Sequence, residues 1–149
     1  MMTIDVFKDG AIRFPYHGLA MKEVRQFADT ICSIMKLRRA RMTIVLTDNS
    51  SIRSINKKYR KKDRPTDVIS FAFRDSAFPA PERGAEDLGD LYLSLEQAWL
   101  QRAFSASFHD EVKRLLVHGI LHLLGYDHEK SAQEESRMRK KEEEVLGKM

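Results

Sequence analysis

Apolar residues recur along this chain at two spacings, one suited to strands and one to helices, and each change of spacing marks a new element. Thr3–Phe7 alternates like a short strand, and Asp9-Gly10 marks the turn after it. From about Gly18 to Lys36, the residues Leu19, Val24, Phe27, Ala28, Ile31, Ile34 and Met35 return at helical spacing. Arg41–Thr47 (RMTIVLT) is a β-branched run between polar residues, the composition of a strand. Asp48 offers an N-cap for a helix reaching about Arg60, with Ile52 and Ile55 on its inner face. Pro65 closes that segment, and Val68–Phe73 (VISFAF) follows as an apolar strand expected in the sheet interior. Asp75–Asp87, rich in Ala, Pro, Gly and charge, predicts an exposed loop. Gly89–Leu95 alternates again and is expected to return antiparallel to the preceding strand.

The remainder is helical. Leu95–Ala103 is a short helical piece that brings the only tryptophan, Trp99, to the core. A helix opening at Phe108 or Asp110 carries Leu115, Leu116, Val117, Ile120, Leu121, Leu123 and Leu124. It is apolar nearly all round, so it predicts a buried helix, with Glu111 favouring its N-terminus through the dipole. Ser131 caps a last, highly charged helix with Glu134 at the capping-box position. Met138, Glu142, Val145 and Leu146 lie along one stripe of it, as expected of a lid docked on the body. Strand and helix alternate twice, two strands follow, then helices. That order predicts a single domain over residues 1–149 of mixed α+β layers.

Composition narrows the class. Hydrophobic residues at 42% and charged residues at 32% belong to an ordinary globular protein. The lone Cys32 excludes an internal disulfide and suits a reducing cytoplasm; it reads as a buried apolar residue of the first helix. The opening residues place Asp5 where a secretory signal would need a basic and then an apolar stretch, and no apolar run approaches a membrane span. A net charge of +4 allows a nucleic-acid partner without indicating one.

The candidate chemistry sits in HGILHLLGYDH, which holds three of the five histidines, His118, His122 and His128. Positions i and i+4 share a helix face one turn apart, so His118 and His122 aim at a common point. Gly125 lets the chain turn back and bring His128 to it. Taken alone, a His-x3-His pair on an apolar helix is a pair of core histidines satisfied by hydrogen bonds. The turn glycine and the third histidine change that reading to a metal site. Three neutral imidazoles leave a fourth tetrahedral position open, the catalytic zinc pattern. Metzincin proteases share this ligand spacing but place a general-base glutamate directly after the first histidine. Here that position is Gly119, which argues against peptide hydrolysis by that route.

A second cluster is basic. Six of the eight residues from Lys57 to Arg64 are cations: Lys57, Lys58, Arg60, Lys61, Lys62 and Arg64. One reading is a solvated helix end, where cations favour the dipole. The other is a phosphate-binding patch in which Tyr59 stacks on a base, as in single-stranded RNA binders.

Together HGILHLLGYDH, NKKYRKKDRPTDVISF (Asn56–Phe71) and LGDLYLS (Leu88–Ser94) resemble the YbeY endoribonuclease family of bacterial rRNA maturation factors. The resemblance covers roughly residues 40 to 146, with Ala72 where the family commonly has proline. It implies an α+β fold around a small mixed sheet with the histidine helix beside it. It also implies one bound zinc ion or a similar divalent metal, and single-strand-specific RNA cleavage in 16S rRNA 3′-end processing and ribosome quality control. The partners implied are rRNA and the ribosomal subunit, with other ribosome-associated proteins and no membrane. By position, His118, His122 and His128 match the metal ligands, and Arg60 matches an arginine at the site. Arg60 and His118 are thus the expected catalytic residues. A metal held by three histidines brings the pKa of bound water to about 7 or polarises a phosphoryl oxygen. Arg60 is a fork-shaped donor for the developing charge, and Tyr59 or Phe73 a base-stacking ring. No residue is an evident general base. Asp127 and Glu129 flank the third ligand, with Asp127 the better partner for an imidazole N–H. Asp67 and Asp90 read as structural, and His17 and His109 as surface or capping residues. Two rival readings stay open: a metzincin-type protease, and a ribosome-assembly factor in which zinc only holds the fold.

Overall fold

A computed structural model describes residues 2–73, 86–127 and 131–149. Strand β1 (Thr3–Lys8) leads to helix α1 (Met21–Ile34), β2 (Ala40–Thr47) and α2 (Asn49–Arg60). Strands β3 (Val68–Ala72) and β4 (Glu86–Ser94) follow, then α3 (Leu95–Leu100), α4 (Phe108–Leu123) and α5 (Ala132–Lys148). The four strands form one mixed sheet in the order β1-β2-β4-β3. Parallel pairing joins β1 to β2 and β2 to β4, and β3 runs antiparallel to β4. The fold is therefore α+β around a small mixed sheet, as expected. Among the described residues no helix is long and apolar enough to cross a membrane.

Local chemistry explains most element ends. The Asp48 carboxylate caps α2 by accepting from Ser51 N–H at 2.8 Å, and it also accepts from Ala11 N–H at 2.7 Å. Those bonds, the one from Ala11 foremost, hold the Asp48 carboxyl below the usual carboxylate range. Ser94, Ser107 and Ser131 cap α3, α4 and α5 in the same manner. Helix α1 begins later than Gly18 because Tyr16 and Leu19 exchange backbone hydrogen bonds of 2.9 Å and hold the chain in a turn. Gly89, the glycine of LGDLYLS, has φ +127, and a Cβ there would lie 1.9 Å from the Phe71 carbonyl oxygen on the paired strand.

Two expectations need correction. Among the described residues VISFAF is an edge strand rather than an interior one, because β4 pairs with β2 and leaves β3 outermost. Its apolar composition reflects the helix over it: α4 lies on β3 and β4, and Val68 and Ile69 are buried. The loop expected through Asp87 ends sooner, since β4 already begins at Glu86; residues 74–85 lie outside the described residues.

The core gathers Leu19, Val24 and Ile31 of the first helical region, Met42, Ile44 and Leu46 of β2, and Leu91 and Leu93 of β4. It closes over the apolar face of α4 and takes Met138 and Val145 from α5. Cys32 is fully buried among these residues, and burial pushes its thiol up to about 12, that of an inert apolar residue. Trp99 packs on the core's edge instead of within it. His17 stacks on its ring at 3.6 Å and the Arg102 guanidinium lies 3.7 Å from its ring centre. His17 thus has a packing role that its motif-free context did not announce, and His109 approaches Glu23 at 3.5 Å.

Candidate metal centre and nucleic-acid cleft

Burial of α4 leaves one half-exposed stripe, and the two histidines one turn apart occupy it. Their ring centres are 4.7 Å apart, and the Nε2 atoms of His118 and His122 face each other at 3.2 Å. Two nitrogens each about 2.0–2.1 Å from a zinc ion at a tetrahedral angle stand roughly 3.3–3.4 Å apart. The pair therefore fits a shared divalent cation. After the helix, Gly125 takes φ +98, with Gly125 N–H donating to the His122 carbonyl and Tyr126 N–H to that of Leu121. This turn sends Asp127 back to the cleft. His128, the expected third ligand, and Glu129 lie outside the described residues, among which no group of three His, Cys, Asp or Glu side chains forms a metal cluster.

His118 and His122 open into a cleft of about 420 Å³ whose opposite wall is β3. Arg60, the last residue of α2, lines the same cleft with Asp67 and Phe71. The expected catalytic arginine and two expected ligands, far apart in sequence, thus meet in space. Of the remaining basic segment, Lys57, Lys58, Lys61, Lys62 and Arg64 are exposed around the end of α2. Lys61 adopts the left-handed conformation as C-cap, at φ 58, and turns the chain there. Asn56 holds that turn: its carbonyl accepts from the N–H of Lys61 and of Lys62, and its buried side-chain amide donates to Arg64 O at 2.9 Å. Asp63 pairs with Arg53 at 2.8 Å and more distantly with Lys57 at 4.0 Å.

An aromatic row borders the cations. Tyr59 is 59% exposed and meets Phe71 edge-on at 5.3 Å, and Phe71 meets Tyr92 at 5.8 Å. Phe71 lines the cleft and was not singled out by sequence reasoning. Phe73, the other stacking candidate, is 40% exposed.

Gly119 has a steric reason to be glycine. A Cβ there would lie 2.3 Å from Leu91 Cδ1 and 3.2 Å from Val68 Cγ2, so α4 rests on the sheet at this residue. The position that carries the general base in metzincins faces the sheet here and has no room for a side chain.

In the cleft wall, Asp67 accepts from Val68 N–H at 2.8 Å and from Gln101 Nε2 at 2.9 Å. The same amide donates to Glu111 at 2.7 Å. Glu111 is wholly buried and also accepts from Ser105 and, through two bonds, from Arg114. Burial alone would raise its pKa; the Arg114, Ser105 and Gln101 bonds outweigh burial and hold it below the usual range. Its role is thus an ion pair inside the fold more than a dipole effect. Asp90 is pushed up, first by burial and then by the charge of Asp87.

Residues 15–149 match the family described as Endoribonuclease YbeY. The chain belongs to the YbeY family. It is similar to Endoribonuclease YbeY of Aquifex aeolicus, 42% identical over 85% of this chain and 82% of that one. The YbeY proteins of Carboxydothermus hydrogenoformans (48% identical over 70% of this chain and 69% of that one) and Acholeplasma laidlawii (39% over 89% and 93%) are also similar. A solution structure of a Thermotoga maritima protein shares the fold at a TM-score of 0.63 and 23% identity, over 98% of this chain and 88% of that one. Within this YbeY chain, the further contact that sequence reasoning missed is Glu142 of α5, whose Oε1 lies 2.6 Å from His118 Nδ1. A carboxylate on a stripe otherwise made of Met138, Val145 and Leu146 was its signal.

Proposed function

We propose that this protein is a metal-dependent endoribonuclease that cleaves single-stranded RNA in rRNA maturation. The observation that carries the reading is one cleft in which two imidazole Nε2 atoms 3.2 Å apart face the same space as Arg60. The name shared by the curated relatives, endoribonuclease, supplies the substrate class.

His118 and His122, with His128 as third ligand, would hold one zinc ion or a similar divalent cation. When bound, that ion supplies Lewis-acid polarisation of a phosphoryl oxygen. Arg60 is placed to donate its paired N–H groups to phosphate oxygens and to offset charge that develops on them. Lys57, Lys58, Lys61, Lys62 and Arg64 attract the backbone and position it without reading sequence. The exposed Tyr59 ring, backed by Phe71, offers a stacking face that only an unpaired base can use, which favours single strands. Ribosomal RNA, 16S rRNA 3′-end processing, ribosome quality control and the ribosomal subunit as partner follow from the family resemblance, and the cytoplasm as location from the lone Cys32.

The test is cleavage of a single-stranded rRNA fragment before chelation, after it, and after zinc is restored. Activity lost and regained supports the reading. Activity that persists after verified metal removal would sink the metal dependence. RNA bound but left intact in every condition would leave an assembly factor with structural zinc, and chelator-sensitive peptide cleavage would revive the protease.

A further inference from the structure

Helix α5 carries acids along its length, and most of them have local partners. Glu134, Glu135 and Glu144 pair with Arg137, Arg139, Lys141 and Lys148 at i,i+3 and i,i+4 spacings. The cation at the i−3 position of Glu142, Arg139, pairs with Glu135, and the i−4, i+3 and i+4 positions are Met138, Val145 and Leu146. Glu142 turns away from solvent instead, 19% exposed, and crosses to α4 to meet His118 at 2.6 Å. An ionised carboxylate can only accept, so the proton of this bond sits on His118 Nδ1. In a neutral ring the lone pair is then on Nε2, the atom 3.2 Å from His122 Nε2.

We infer that Glu142 is a positioning residue for the metal centre: by accepting the Nδ1–H of His118 it fixes the ring's tautomer and orientation, so that Nε2 is presented to the cation. This rests on the proposed function in one respect, that His118 is a ligand. Histidine ligands characteristically donate their other N–H to a carboxylate or carbonyl, and removal of such a partner costs about 10–100-fold in metal affinity. The arrangement gives α5 a chemical task, because the stripe that docks the helix on the domain also delivers the carboxylate. Sequence reasoning gave Asp127 to an imidazole N–H without naming the ring; the partner at His118 Nδ1 is Glu142.

The test compares the full-length protein with Glu142→Ala, Glu142→Gln and His118→Ala. Zinc affinity is read by competition with a chromophoric chelator. The His118 tautomer is read in the metal-free protein by long-range 1H–15N correlation. Glu142→Ala is expected to weaken zinc binding about 10–100-fold and to move His118 from the Nδ1–H form to a mixture with the Nε2–H form. Glu142→Gln keeps an acceptor oxygen without the charge, so it should keep the Nδ1–H signature and recover part of the affinity. Were the alanine variant unable to fold, Glu142→Leu, which fills the space without an acceptor, decides: zinc affinity equal to that of the unaltered protein overturns the proposal. Zinc lost in His118→Ala but held unchanged in the Glu142 variants, with the tautomer unmoved, overturns the positioning role and leaves the metal site standing. No zinc bound by the unaltered protein overturns both.

Discussion

Replacing Gly119 by alanine probes the contact on which the histidine helix rests. The added Cβ would stand 2.3 Å from Leu91 Cδ1 and 3.0 Å from its Cγ, with Val68 Cγ2 at 3.2 Å. Carbon atoms rest about 3.5–4.0 Å apart, so Leu91 must withdraw by at least about 1.2 Å. It has little freedom to do so, being fully buried on β4 between β2 and β3. Overpacking of this kind costs about 1–3 kcal/mol, and the size of the overlap puts this site in the upper half of that range. Alanine's better helix propensity returns about 1 kcal/mol. The net loss is then roughly 1–2 kcal/mol, which for a chain of this length lowers Tm by about 2–8 °C. Urea titration and thermal melts of the metal-free protein would measure it. The same substitution should lose its cost in a Leu91→Ala background, where the Cβ enters the vacated space. A Gly119→Ala protein at least as stable as the parent, or an equal cost in both backgrounds, would refute the steric account.

Three further outcomes are expected. The buried Glu111 carboxyl has a folded pKa below its unfolded value of about 4.3, so its stabilisation is present above that pH and is lost as pH falls through the folded pKa. Melting temperature should therefore drop on acidification below about pH 4.3, and Glu111→Gln, itself destabilised by roughly 1–3 kcal/mol at neutral pH, should show a shallower drop. Arg60→Ala should keep its zinc while RNA cleavage slows by about 10²–10³-fold, whereas His122→Ala should lose zinc; elemental analysis beside single-turnover cleavage separates the two. Replacing Lys61 and Lys62 with alanine should lower the salt slope of single-stranded RNA binding by about 1.4, about 0.7 for each phosphate contact, with zinc content unmoved; an unchanged slope would remove both residues from the RNA path.

How much of this was legible in the chain depended on the range of the interaction. His118 and His122 could be read because one helical turn connects them, and serine and aspartate caps because they act within three residues. Arg60 came within view through its motif, yet only the tertiary fold brings it into one cleft with the histidines. The misplaced strand has a simple cause: hydrophobicity reports that VISFAF is covered, and cannot tell cover by a helix from cover by flanking strands. Glu142 stayed hidden because its partner is 24 residues away on another helix, and a lone charge on an apolar stripe looks like an interruption. Glu111 was noticed for its place in the first turn, whereas its bonds to Gln101, Ser105 and Arg114 need the tertiary fold.

The outermost position of β3 bears on self-association. An edge strand offers backbone groups to any extended chain, including the same strand of another copy. The residues of this strand also form a wall of the cleft. The strand is only five residues long, and Pro65 stands just before it. The cations gathered at the end of α2 beside it would repel a second molecule approaching along the same edge. Neutralising those cations should therefore promote aggregation as well as weaken RNA binding: the charge that draws in a polyanion also keeps two copies of the protein apart.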